Sequence, residues 1–446
     1  MTRGSREGLG AVATLQALDR PSHTLAEIPA GLAAAYRDVL SGRRLAWTSP
    51  AIFTVGAYLG FYGLGLILSG PSPRLPVMAF AVALGLAGLL AGIGFGWRAV
   101  PGPIRLPPVD RRLLNRYGLV LLGVGLAALI AYFVAIGYIP LLQPGLEQSR
   151  VNAAETGGAP LRVLSLLALP GAWILVAQAV TARDRRRIVM AAVVVAVVAL
   201  GFALTGNRSP AFSAVEVGLI AGLLAAGKDR LGGRGVMLLA LIGMVFVLSA
   251  GLFGAFRLAS RSDVYGPPNP YARPPDYPRL TVVAIKGYLV VPVQNLGYTM
   301  DAVPDRIGWR LGLTYLQPVL TVLPGKQTTF DADLKAALNQ RYAGGGTVPG
   351  LLGEAFANFG PIGWLAVPFL VGAGITALYR ASRPGPPELA ALYGYAIAHM
   401  SIGTALSGLA VASIFPVEAY AALVFAVVGL PIVERRLIRR GNGAGT

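Results

Sequence analysis

The chain of 446 residues contains no cysteine, so disulfides, thiol catalysis and cysteine-ligated metal clusters are excluded. It has two histidines, His23 and His399, too few for a zinc site of their own. Charge is scarce: 13% of residues are Asp, Glu, Lys or Arg, where an ordinary soluble domain has about 25%. Acidic residues are scarcer still, 20 against 38 basic ones. A net charge of +18 would suggest nucleic acid in a soluble chain. Here the arginines sit in short loops between apolar runs, which makes membrane topology the first explanation and nucleic acid no partner.

What fills the chain instead is hydrocarbon: 55% hydrophobic residues and a mean hydropathy of +0.63. Runs of roughly 20 apolar residues recur, each long enough to cross about 30 Å of hydrocarbon. The short alternating segments of a membrane β-barrel are absent. The expected fold is therefore an all-α polytopic membrane protein. The spans read as 50–69, 77–97, 117–139, 161–180, 188–205, 210–227, 235–256, 349–379, 389–409 and 415–433. Ten spans place both termini on one side. The segments then assigned inside hold 24 of the 38 basic residues, whereas the short outer loops hold Arg74, Arg150 and Arg208. Both termini are accordingly expected in the cytoplasm.

Five regions follow. Residues 1–46 form a cytoplasmic segment in which Leu25, Ile28, Leu32, Tyr36 and Val39 recur at near-helical spacing, either as a helix on the membrane face or as a partly ordered tail. Spans one to seven occupy 47–256, a long extracytoplasmic loop 257–348, the last three spans 349–433, and a cytoplasmic tail 434–446. Within the loop, 282–298 is apolar but carries Lys286, Pro292, Gln294 and Asn295. Were it to cross alone, the last spans would invert and Arg435–Arg440 would face outward, so it reads as an amphipathic or re-entrant element. Gly56-x-x-x-Gly60 and Gly92-x-x-x-Gly96 are helix-packing signals.

Candidate chemistry concentrates at the outer boundary. Gly344–Gly363 opens with glycines and leads into an apolar run carrying one carboxylate, Glu354, and then Asn358. A charge there costs free energy and marks a site by default, as an acid–base group or as half of a structural Glu–Arg pair. Gly206-Asn207-Arg208-Ser209-Pro210 breaks the run after the fifth span and presents Arg208, either to an anionic head group or merely snorkelling. Glu216 lies two turns further along, a site candidate or the partner that holds Arg208. Arg257 with Arg261, and Arg306 with Arg310, are each one helical turn apart. Such forks suit a diphosphate, or pair with Asp263, Asp301 or Asp305. Asp331-Ala332-Asp333 has the form of a metal-binding DxD, but a helix N-cap is the simpler reading; no metal or other cofactor is expected.

These residues resemble a known family. Gly137-Tyr138-Ile139-Pro140-Leu141-Leu142 after the third span, the Gly206–Pro210 break, and Gly353-Glu354-Ala355-Phe356-Ala357-Asn358-Phe359-Gly360-Pro361-Ile362-Gly363 after the long loop are similar to bacterial oligosaccharide repeat-unit polymerases of the Wzy type. The order and sidedness of the motifs carry the likeness, which runs over about 50–433. Ala355-Phe356 departs from it, standing where an aromatic such as tyrosine is often seen. The resemblance implies a GT-C-like bundle in the bacterial cytoplasmic (inner) membrane that joins undecaprenyl-diphosphate-linked oligosaccharides, as donor and acceptor, on its outer face. Arg208, Arg257 and Arg261 would neutralise the departing diphosphate. Glu354 would take the acceptor proton, and Asn358 would shape the pocket. A flippase and a chain-length regulator are the further partners implied. A ligase of the same architecture and a transporter of lipid-linked glycans are the alternative readings.

Overall fold

The structure is a computed structural model, and it describes residues 27–443 apart from 41–44, 101, 104–108, 144–145, 154–157, 229, 260–274, 321–328, 341–346, 384 and 410–416. Helix α1 (Ile28–Leu40) leads into a two-residue strand, β1 (Leu45–Ala46), and then into α2 (Pro50–Leu68), which carries a π-helical turn at Leu59–Gly63. Next come α3 (Leu75–Ala99), α4 (Arg111–Ile136), the short α5 (Leu146–Ala153), α6 (Ala159–Thr181), α7 (Arg185–Leu204) and α8 (Arg208–Ala225). Strand β2 (Arg230–Leu231) pairs antiparallel with β1 and precedes α9 (Gly233–Ala259). The remainder is α10 (Tyr277–Ala302), α11 (Leu313–Leu320), α12 (Phe330–Ala337), α13 (Gly350–Phe359), α14 (Pro361–Ala381), α15 (Pro387–Ala398, continued by His399–Gly403 and Thr404–Ser407) and α16 (Val417–Arg436).

Ten helices among the described residues are long and apolar enough to cross a membrane. Their outward surfaces are hydrocarbon: Ile67, Val134, Leu200 and Met237 stand at least 60% exposed. Only 6% of the apolar window of α9 is buried within the protein. Such a surface is stable in lipid and not in water. This is a multi-pass helical membrane protein.

The central pair is α3 with α14. Gly88, Gly92 and Gly96 lie against the carbonyl oxygens of Leu365, Phe369 and Ala373, so any Cβ at those positions would strike backbone. The four-residue step on both helices, rising together, makes the pair parallel. The expected Gly92–Gly96 packing signal is thus a contact, whereas Gly56 and Gly60 have open space beside them. Gly92→Leu is expected to cost at least about 1–3 kcal/mol by overpacking. Gly56→Leu is expected to leave the melting temperature of the purified protein unchanged, so comparing the two melts checks the assignment.

Two expectations about the spans need correction, and the loop segment 282–298 takes a definite form. The expected span 349–379 is two helices: Gly360, at φ 62° and ψ −152°, adopts a conformation essentially restricted to glycine, and Pro361 then starts α14. The expected span 389–409 is helical from Pro387 to Ser407, but divided by a π-helical turn at His399–Gly403. The loop segment 282–298 belongs to one unbroken helix, α10, which is itself long and apolar enough to span. Pro292 is buried inside it without ending it.

The ends of α10 show how it is placed. The Tyr277 ring lies 5.0 Å from that of Phe256, three residues before α9 ends. At the other end Asp301 pairs with Arg74, just before α3 begins. Because α14 runs parallel to α3, the Gly360 break also lies toward this Arg74 end of the bundle. The opposite end gathers basic segments: Arg230 and Arg383 both bond Asp38, at 2.5 and 3.3 Å, and Arg380 donates to the Val100 carbonyl.

Candidate functional site

Helix α13 is amphipathic in an unusual sense, since eight of its ten residues are buried, including Glu354 and Asn358 at 0% exposure. It is seated well inside the bundle. Leu352 meets Gly85, ten residues along α3 and therefore about 15 Å from its start. Its backbone is held by the Tyr62 hydroxyl, which accepts from the Leu352 amide at 3.2 Å, and by Asn295, whose side chain donates to the Val348 carbonyl at 2.6 Å.

Around Glu354 the polar groups form a hydrogen-bonded network. The Thr314 hydroxyl donates to Oε1 at 2.8 Å, and the Leu409 amide donates to Oε2. Asn358 donates to the Thr314 hydroxyl at 2.7 Å and to the Glu354 carbonyl at 2.8 Å, while its Oδ1 accepts from the Gly312 amide at 2.8 Å. The Arg310 amide bonds the Ala357 carbonyl at 2.9 Å. One carboxylate thus joins α13, the start of α11 and the end of the α15 segment. Gly408 is glycine for two reasons: its φ is +88°, and a Cβ there would sit 2.5 Å from Glu354 Oε2. Tyr315 completes the group, its ring stacked on Phe359 at 6.1 Å. Burial, and after it the Glu354 carboxylate, push the Tyr315 hydroxyl well above the ordinary tyrosine range, so it keeps its proton.

Arg208 begins α8 directly after Gly206, which turns at φ +72°, and Asn207, the N-cap residue. Its guanidinium lies 4.2 Å from the centroid of the Tyr288 ring on α10. A guanidinium seated over an aromatic ring is held in one orientation, which a side chain snorkelling into water is not. Helix α10 also touches the carboxylate region, because Gly353 packs on Thr299. Tyr288 and Thr299 are eleven residues apart, about 16 Å along the helix. Arg208 and Glu354 are therefore both placed beside one helix, α10, Arg208 at its middle and Glu354 toward its end.

The remaining candidates separate. Arg310 forms a 2.6 Å ion pair with Asp333 and lies 5.5 Å from the Phe330 ring, while Arg306 donates to the Ala337 carbonyl at 3.1 Å. This arginine pair braces α12, with Asp333 as the acid in place of the three aspartates expected. Asp331 and Asp333 sit in the first turn of α12 behind an N-cap at Thr329, so the expected N-cap is corrected by two residues. Arg257 is half-buried near the end of α9; Arg261 and Asp263 lie outside the described residues. Glu216 faces inward on α8, its Oε1 sealed and without a hydrogen-bond partner among the described residues, so it does not bond Arg208 through that atom. The sequence reading missed Thr314, Tyr315 and Tyr288. The one available signal was polar residues set in apolar surroundings at Gly312-Leu313-Thr314-Tyr315. Comparison with family models, with curated proteins and with solved structures finds no match for this chain.

Proposed function

We propose that the protein is a membrane glycosyltransferase that joins undecaprenyl-diphosphate-linked oligosaccharide repeat units on the outer face of the bacterial cytoplasmic membrane. The observation that carries this reading is the placement of a fixed cation and a buried carboxylate network along one helix, α10. The motif order Gly137–Leu142, Gly206–Pro210 and Gly353–Gly363 supports it by resemblance to the Wzy-type polymerases.

In this reading the Arg208 guanidinium extends toward the donor diphosphate, and the acceptor hydroxyl lies between Glu354 and the anomeric carbon that this diphosphate carries. The bond from the anomeric carbon to the phosphate oxygen breaks, and undecaprenyl diphosphate leaves with the electron pair. An acceptor hydroxyl forms the new bond and gives its proton to Glu354. For that transfer the hydroxyl takes the place of Thr314 on Oε1, so the segment around Gly312–Tyr315 is the part that gives way. Asn358 holds that segment through Gly312 and Thr314 and sets its position.

The test is reconstitution of the purified protein in liposomes with a lipid-linked repeat unit, with the products separated by size. A ladder of repeats is the expected result. A single transfer to another acceptor would identify a ligase instead. Movement of the glycan across the bilayer with no new glycosidic bond would replace the enzyme reading with a transporter.

A further inference from the structure

The opposite end of the bundle holds a second, separate feature. An open cleft of about 470 Å³ is lined by Asp38, Trp97, Gly102, Pro103, Tyr379, Arg380 and Arg383. We propose that this cleft is a binding site for a phosphate group, carried either on the head group of an anionic phospholipid or on a soluble phosphate.

Its walls are rigid. Helix α1 is pressed onto α3 where Gly31 meets the Gly94 carbonyl, and α3 is pressed onto α14 by the glycine contacts described above. A Cβ at Gly94 would in turn sit 2.5 Å from the Ile28 carbonyl. These contacts fix the side chains that leave each helix at the cleft. The Arg380 guanidinium lies 4.6 Å from the Trp97 ring centroid, and Arg383 lies 5.5 Å from that of Tyr379, whose hydroxyl accepts from Arg383 Nη1 at 2.8 Å. Both cations are therefore held by a ring contact and a hydrogen bond each, Arg380 to the Val100 carbonyl and Arg383 to the Tyr379 hydroxyl, and not left to wander.

The charge balance favours an anion. The lining residues carry two guanidiniums and one carboxylate, and that carboxylate, Asp38, also serves Arg230 at 2.5 Å. Guanidinium forks match phosphate oxygens in bidentate geometry, and a bound phosphate would share Arg383 with Asp38. The location favours it too. Trp97 and Tyr379 lie near the ends of the spanning-length helices α3 and α14, buried among the protein's own side chains, so the cleft sits where these two apolar helices end. On the expected topology this end faces the anionic cytoplasmic leaflet, where clustered basic residues draw acidic lipids.

The purified protein in nanodiscs tests the proposal. Native mass spectrometry compares retention of phosphatidylglycerol with retention of phosphatidylcholine, per folded molecule. The parent is expected to retain phosphatidylglycerol selectively, and the Arg380→Ala/Arg383→Ala double variant to lose at least 10-fold of that retention. Should the double variant not fold, Arg383→Gln alone is expected to lose several-fold. Asp38→Asn removes the competing carboxylate and is expected to retain the lipid at least as well as the parent. A cluster that merely latches α1 in place would instead lose lipid in Asp38→Asn as it does in the arginine variants, and that result overturns the proposal. In a second arm, inorganic phosphate is added to nanodiscs of phosphatidylcholine alone. A rise in Tm in the parent but not in the double variant assigns the site to a soluble phosphate. Binding of neither probe by the parent overturns the proposal outright.

Discussion

Arg208→Ala is expected to reduce repeat-unit polymerisation in reconstituted liposomes by about 100- to 1,000-fold, the loss that follows removal of one preorganised group stabilising developing charge. The protein should be recovered at normal yield, because Arg208 sits at the start of α8 and not in its interior. Arg208→Lys keeps the charge but gives up the planar face that rests on Tyr288, 4.2 Å away, and should recover only part of the activity. Tyr288→Phe keeps the ring under the cation and should stay close to the parent. Full activity in Arg208→Ala would show that this arginine only marks the membrane boundary, and the glycosyltransferase reading would lose its diphosphate site.

Glu354→Ala is expected to fail at an earlier stage, in folding. It leaves the Thr314 hydroxyl and the Leu409 amide without their acceptor, and each buried donor so stranded costs about 1–3 kcal/mol. Melting of the detergent-purified protein should fall markedly, and Gly408→Ala, which drives a methyl into Oε2, should reproduce the loss with the carboxylate still present. Glu354→Gln separates the two roles of this side chain. It keeps the volume and one acceptor oxygen, so a moderate loss of stability is expected together with polymerisation reduced by more than about 100-fold. If its activity fell only in proportion to the folded fraction, Glu354 would be a structural clasp, and the proton would have to go elsewhere.

Much of the fold was legible because lipid imposes a simple rule on sequence. A run of about 20 apolar residues bounded by arginines has few other uses, and eight of the expected spans coincide with helices to within a few residues. The glycine step at Gly92–Gly96 was legible for the same reason, since small residues four apart form a groove. The misreadings have local causes. Residues 282–298 stood out as apolar but interrupted by Lys286, Pro292, Gln294 and Asn295, and nothing in that pattern showed that one helix runs through them from Tyr277 to Ala302 with Pro292 buried inside it. Gly360-Pro361 looked like an ordinary part of a span, but only glycine reaches the backbone angles found there.

The site was legible as residue types and not as partners. Glu354, Asn358 and Arg208 each stood out as polar groups where polarity is costly. Their neighbours come from 40, 55 and 80 residues away: Thr314 for Glu354, Leu409 for the same carboxylate, and Tyr288 for Arg208. Periodicity carries no information about such distant meetings. Asp333 illustrates the limit: it belonged to a motif with two familiar readings, and its actual role is to hold Arg310.

Helix α9 has 27 residues, about 40 Å of rise, against roughly 30 Å of hydrocarbon. It must lean or protrude, and its lean changes with the thickness of the bilayer around it. Gly254 of this helix lies beside the Tyr288 hydroxyl, so the shelf on which the Arg208 guanidinium rests is set partly by how thick the surrounding lipid is. Acyl-chain length thereby becomes a mechanical input to the cation's position.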